Sequence, residues 1–382
     1  MGRARDLGIQ IGTLPTGRWN AITDVGGVRV GHETLIIGHG PLVPGAGPVR
    51  TGVTVVVPHD GNPWSEPLFA GGHVLNGNGE LTGLPWIQES GLLYGAIAIT
   101  NTHSVGVVRD RLVDHAVRYR SPGSPSWSLT VVGETYDGRL NDINGHHVRP
   151  QHVDAALDAA SAGSVAEGGV GGGTGMICHE FKGGIGTSSR VLPAEAGGWT
   201  VGVLVQANYG RRGLLTIDGV PVGREIPTTE VPSPYDVPKR IPGEPQPGDG
   251  SIIIIVATDA PLLPHQCQRV AQRAGLGLAR SGGVGATSSG DLFLCFATGN
   301  RGLHPAEVEP DGQTFETVRS MIDDALDPLF EATIEATEES IANALVAAET
   351  MVGRDGVIAH ELPKDRLVEV MSHYGRIHAA NA

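Results

Sequence analysis

Residues 251–256 read Ser-Ile-Ile-Ile-Ile-Val, the most strongly β-forming run in the chain. A strand with one face in water alternates apolar and polar residues; this one does not, so both of its faces must be covered. Similar short runs lie at Val53–Val57, Leu92–Thr100, Ser128–Val132, Thr200–Gln206 and Leu292–Ala297, and the run at 251 extends to Thr258. Helical patterns lie between and after them. One starts at Pro264 and runs to Ser281-Gly282-Gly283. Another opens at Asp327-Pro328, read as N-cap and N1, sets Ile334, Ile341 and Leu345 on one face, and stops by Gly353. The pattern predicts an α/β fold with doubly covered sheets.

A chain of 382 residues can hold two domains or one large α/β unit. Pro221–Gly250 is the natural place to look for a boundary, with 8 of the 26 prolines in 30 residues. Such a stretch forms neither a helix nor a central strand, and it reads as an extended surface loop. The runs on its two sides look alike, which favours one sheet system crossed by a long loop.

Lys+Arg number 27 and Asp+Glu 41, for a net charge of −14, which argues against nucleic acid and anionic membrane as partners. Twelve acids and a single Arg fall between Glu307 and Glu349, so these C-terminal helices are expected to present a solvated acidic face. The three cysteines, Cys178, Cys267 and Cys295, form no CxxC pair. The first residues carry no apolar leader, and no apolar run approaches about 18 residues. The expectation is a soluble cytoplasmic protein with reduced thiols.

Several chemistries are excluded by spacing. Gly168–Gly175 does not fit G-x-G-x-x-G and follows no strand, and Gly283–Ser288 follows a helix. There is no P-loop, no HExxH and no G-x-S-x-G elbow. His146-His147 and His179-Glu180 lack a third ligand at useful spacing, so neither metal nor cofactor is expected.

The junction Gly250/Ser251 carries chemistry. A Ser that opens a buried strand after an exposed loop can attack the carbonyl of the residue before it. An N→O acyl shift followed by hydrolysis then frees Ser251 as a new N-terminus. Gly250 tolerates the distorted backbone this needs. The freed α-amine, with an ordinary pKa of about 7.7–8.0, can serve as base for its own hydroxyl. A plain loop-to-strand serine has the same signature, so the residues alone leave both readings open.

Ser251 through Leu262, SIIIIVATDAPL, is similar to the start of the β-subunit in peptidase family S58, which contains L-aminopeptidase/D-esterase and β-peptidyl aminopeptidase. Further segments agree in order: Asn20–Val25, Asn76–Glu80, Thr100–Gly106, Glu134–Asp137, Val205–Gly210 and Ser289–Asp291. The resemblance implies an α-β-β-α sandwich of the N-terminal-nucleophile-hydrolase kind with different connectivity. It implies one catalytic domain over 1–382, self-processed into 1–250 and 251–382, which stay together and assemble as a homotetramer. Ser251 resembles the nucleophile. Ser289 and Asp291 resemble the hydroxyl and carboxylate that hold its amine; the family's acid there can be Glu, one methylene longer. Asn208 and Tyr136 resemble residues lining the oxyanion and acyl site, where one donor is worth about 10²–10³ in rate. Without the resemblance, Ser289–Asp291 could equally be a turn, Asn208 a strand end and Tyr136 core. Glu80 is a candidate partner for the ammonium of a small peptide, amide or ester substrate.

The implied activity is a serine aminopeptidase working through an acyl-enzyme. An acyltransferase like ornithine acetyltransferase shares the self-cleaving architecture but starts its second chain with Thr. An unprocessed, non-catalytic binding protein is the other alternative.

Overall fold

The computed structural model describes residues 2–122, 127–237, 246–305 and 314–378. Along the chain the strands are β1 (Arg29–Ile37), β2 (Val49–Val57), β3 (Leu68–Gly77), β4 (Leu92–Leu93), β5 (Ile97–Asn101) and β6 (Val131–Thr135). Then come β7 (Ile177–Cys178), β8 (Phe181–Lys182), β9 (Gly184–Val191), β10 (Thr200–Asn208), β11 (Ser251–Thr258) and β12 (Gly290–Ala297). The long helices are α1 (Val105–Tyr119), α2 (Pro150–Asp158), α3 (Pro264–Arg280) and α4 (Asp327–Ala347). One sheet has the order β1-β2-β5-β6 and the other β4-β3-β12-β11-β10-β9.

The alternation of β11 decides the layering. Ile252, Ile254 and Val256 pack with Val270 and Ala274 of α3 and with Leu329 and Ala336 of α4. Ile253, Ile255 and Ala257 face the other way, against Ile97, Ile99 and Val131 of the four-stranded sheet. Full burial of each isoleucine contributes about 1.5–3 kcal/mol. The far face of the four-stranded sheet, through Val53, Val55 and Ala98, is covered by Val108 and Leu112 of α1 and Val153 and Ala156 of α2. The result is helix, sheet, sheet, helix, with β11 at the centre of the larger sheet.

The elements differ from the sequence expectation in five places. The apolar run 92–100 is two strands in different sheets. Gly95 turns the chain at φ +76, and a side chain there would strike the Trp64 ring at 2.5 Å. The run expected at Ser128–Val132 pairs as Val131–Thr135. The helix at 327 is capped by Leu326, with Asp327 already inside its first turn.

The fourth difference is the acidic face. Glu335, Glu338 and Glu339 of α4 are buried rather than solvated. Arg190, itself fully buried, donates from Nε to Glu335 Oε2 at 2.9 Å and from Nη2 to Glu339 Oε2 at 2.7 Å. Arg5 makes a two-pronged pair with Glu339 at 2.9 Å on both oxygens. Burial alone would push the Glu339 carboxyl up; Arg190 and Arg5 instead hold it below its ordinary range. These cations come from chain segments far from the helix, so helical periodicity does not reveal them.

The proline-rich segment is also more than a surface loop. Val222, Ile226 and Val231 join the core, and Val222–Glu225 makes one helical turn. Arg212 donates to the carbonyls of Ile226 and Val231 at 3.2 and 3.1 Å. Residues 238–245 lie outside the described residues. Among the described residues no helix is long and apolar enough to cross a membrane.

Candidate active site

Two strand registers converge on Ser251. The antiparallel pairing of β10 with β11 sets Asn208 opposite it, and the parallel pairing of β11 with β12 sets Gly290 opposite from the other side. Ser251 is thus the first residue of a strand held on both edges. Its Oγ accepts the Gly290 N–H at 3.0 Å. The preceding Gly250 has φ +148, where only glycine is comfortable, and a Cβ there would lie 2.0 Å from the Asn208 carbonyl oxygen.

Ser251 opens onto a cavity of about 320 Å³ that Gly250, Asn208, Tyr136, Glu134 and Tyr235 also line. The hydrogen-bond network fixes the orientation of the Asn208 amide. Its Oδ1 accepts the Ile177 N–H at 2.8 Å, and its Nδ2 donates to the Tyr136 carbonyl at 2.9 Å. A reversed amide would set donor against donor and acceptor against acceptor. No described residue takes the second Nδ2 hydrogen. The Tyr136 phenol is folded against its own chain: a Cβ on Gly138 would lie 2.3 Å from its hydroxyl.

Ser289 and Asp291 sit on the opposite face of β12. Leu292 and Leu294 point between the sheets, whereas Phe293 and Cys295 point to the helices, and Asp291 follows the second set. Ser289 Oγ donates to Asp291 Oδ1 at 2.5 Å. Both line a separate small cavity of about 20 Å³ together with Tyr209, Gly282 and Gly285. Burial pushes the Asp291 carboxyl up to about 6, opposed by the Ser289 hydroxyl and the Ile252 N–H. Ser251, Asn208 and Tyr136 therefore share one cavity, and Ser289 and Asp291 lie just beneath the start of the same strand.

Glu80 is not in the cavity. It is exposed, and only its backbone N–H reaches the site, donating to Glu134 Oε1 at 3.1 Å. Two acids line the cavity, Asp249 and Glu134, the latter near the end of β6. Its other oxygen, Oε2, accepts the Thr102 hydroxyl. Burial raises the Glu134 carboxyl, and the Thr102 hydroxyl and Glu80 N–H oppose the rise. The sequence signal was present, since Glu134 heads the Glu134–Asp137 segment; what it lacked was a reason to prefer this acid over Glu80.

A family model for peptidase family S58 matches residues 20–359. The chain belongs to peptidase family S58. The S58 chain is 48% identical over 380 residues to β-peptidyl aminopeptidase BapA of Sphingosinicella microcystinivorans, covering 99% of this chain and 94% of that one. Among solved structures it is similar to a Burkholderia sp. β-aminopeptidase, with TM-score 0.89 and 53% identity over 98% of this chain and 99% of that one. It is also similar to the L-aminopeptidase D-Ala-esterase/amidase of Ochrobactrum anthropi, described as a variant of the Ntn hydrolase fold. There the TM-score is 0.86 at 41% identity, over 99% of this chain and all of that one. The S58 protein is accordingly an aminopeptidase, a hydrolase on an N-terminal-nucleophile-hydrolase fold.

Proposed function

We propose that this S58 aminopeptidase cuts its own chain between Gly250 and Ser251 and then uses Ser251 to release N-terminal β-amino acid residues from small peptides and amides. One observation carries the reading: Ser251 begins β11 at the wall of the cavity, behind a residue that only glycine can be, with Asn208 and Gly290 on either side. The relatives at 48% and 53% identity support β-residues as the substrate class.

In processing, Ser251 Oγ attacks the Gly250 carbonyl carbon. The Gly250–Ser251 C–N bond breaks as the nitrogen takes up a proton, and an ester forms. Water hydrolyses that ester to the Gly250 carboxylate and a free Ser251 amine. In turnover the neutral amine accepts the Oγ proton as Oγ attacks the substrate carbonyl. The free Nδ2 hydrogen of Asn208 is placed to bind the oxyanion, while the Gly290 N–H holds Ser251 Oγ. The amine then returns the proton to the leaving amine, and water deacylates the enzyme by the reverse sequence. Ser289 and Asp291 hold the Ser251 amine from below. Glu134, oriented by Thr102 and the Glu80 N–H, receives the substrate's ammonium; a charge-assisted bond of this kind is worth about 1.5–3 kcal/mol.

The two pieces should stay together because β10 and β11 are neighbours in one sheet. Exposed Ile36, Ile37 and Val43 at the β1 edge support assembly into the homotetramer, and the buried free thiols suit a cytoplasmic setting. Intact mass spectrometry and a panel of L-, D- and β-amino acid p-nitroanilides test the reading. Pieces 1–250 and 251–382, fastest turnover on β-substrates, and an uncut, inactive Ser251→Ala variant are expected. An active protein that remains one chain overturns it.

A further inference from the structure

Lys182 is fully buried, and among the described residues no carboxylate pairs with it. An unpaired ammonium inside a protein is costly, and a linear apolar side chain would fill the same space without that cost. Here all three of its hydrogens are spent on backbone carbonyls: Gly183 at 2.7 Å, Met176 at 2.9 Å and Gly173 at 3.2 Å. Burial pulls its pKa down to about 7, with the neighbouring Cys178 opposing the fall.

The Met176 carbonyl leads to the active site. It belongs to the same peptide unit as the Ile177 N–H, and that N–H donates to Asn208 Oδ1 at 2.8 Å. The path is therefore ammonium, peptide, side-chain amide: Lys182 Nζ to Met176 O, Ile177 N to Asn208 Oδ1, and Asn208 Nδ2 into the cavity. The ammonium donates, and the peptide and the side-chain amide each accept at one end and donate at the other, the arrangement in which hydrogen bonds polarise one another.

The β7–β8 hairpin that carries both Lys182 and Ile177 is locally strained. Its turn residues His179 and Glu180 are non-glycine yet have φ +48 and +65. Outside contacts hold the strain in place, with Glu180 accepting the Arg212 N–H at 2.8 Å and the Ser233 hydroxyl at 2.6 Å.

We propose that Lys182 is a positioning residue that polarises the Asn208 amide through the Met176–Ile177 peptide and so strengthens the oxyanion donor. This rests on the assignment of Asn208 made above. Roughly 10–30% strengthening per bond over two bonds, acting on a donor worth about 10²–10³ in rate, predicts a loss of about 2- to 15-fold on removing the charge.

The test uses the neutral variants Lys182→Met and Lys182→Gln. In the active enzyme assayed at pH 6.5, where the Lys182 ammonium is charged, kcat should fall about 2- to 15-fold with KM within about twofold of normal, and Lys182→Arg should recover part of the loss. In the uncut Ser251→Ala protein, ¹⁵N-labelled at asparagine, the Asn208 side-chain amide proton should move upfield at pH 6 when Lys182 is neutralised. An Asn208 resonance that stays in place in either folded neutral variant overturns the proposal, as does a rise in KM with unchanged kcat. If the parent enzyme turns over no peptide or amide substrate, the functional reading fails, and the Asn208 resonance alone decides the role of Lys182.

Discussion

Replacing Asp291 by Asn should stabilise the uncut protein at pH 8 by about 3 kcal/mol. The Asp291 carboxyl is held up to about 6 by burial, against about 3.9 in an unfolded chain. Keeping it ionised in the fold costs about 1.4 kcal/mol per pKa unit, hence about 3 kcal/mol in all. Between about pH 4 and 6 the folded state holds more protons than the unfolded one, so this cost grows as pH rises through that window and is constant above it. Asn keeps an oxygen that can accept the Ser289 hydroxyl and the Ile252 N–H but carries no charge. The assay is urea unfolding of Ser251→Ala with and without Asp291→Asn from pH 4 to 9. The gap should be near zero at pH 4 and full by pH 7. A gap that does not change with pH, or a destabilised Asn variant at pH 8, would refute the reasoning. Cutting the chain should reverse the sign, because the new Ser251 ammonium supplies the missing counter-charge. In the processed enzyme Asp291 should raise the amine's pKa, and Asp291→Asn should move the rising limb of kcat/KM to lower pH while lowering the rate.

Glu134→Gln should raise KM about 5- to 12-fold for substrates with a free amine, since a charge-assisted bond becomes a neutral one; steady-state kinetics with a free-amine p-nitroanilide reads this directly. Gly138→Ala should push the Tyr136 phenol from its place, because the new methyl would fall 2.3 Å from the hydroxyl. A loss of about 10-fold or more in kcat with an unchanged circular dichroism spectrum is expected. Arg190→Met leaves Glu335 and Glu339 with less compensation in the core and should destabilise the protein by about 3–5 kcal/mol in denaturant titrations.

What the sequence made legible follows from how local each signal was. β11 runs from Ser251 to Thr258 as expected, because a solid isoleucine run needs no partner to declare itself, and α3 ends at Arg280 just before its glycines. The run 92–100 looked continuous because apolar residues destined for two sheets are adjacent in sequence, with only Gly95 to mark the turn. The acidic helix misled for the opposite reason: Arg5 and Arg190 neutralise it from more than 140 residues away. In the site, Ser251, Asn208 and Tyr136 line one cavity, and Glu134 lines it where Glu80 does not, because strand β6 ends there. Lys182 was invisible because its partners are backbone carbonyls, which no side-chain pattern encodes.

The adjacency of β10 and β11 has a consequence for the life history of the enzyme. While the chain is whole, residues 209–250 tether two central strands, and their pairing is an intramolecular event whose entropic cost grows only slowly with the length of that loop. The proposed cut at Gly250–Ser251 would leave the strands paired but remove the tether. A denatured mature enzyme would then have to reassemble from two separate polypeptides, at a rate set by protein concentration. Unfolded precursor, diluted from urea, should recover its fold at concentrations where unfolded mature enzyme does not. The bond that the proposed processing cuts is thus also the one that makes folding unimolecular, and a processed protein would keep a shape acquired as a single chain.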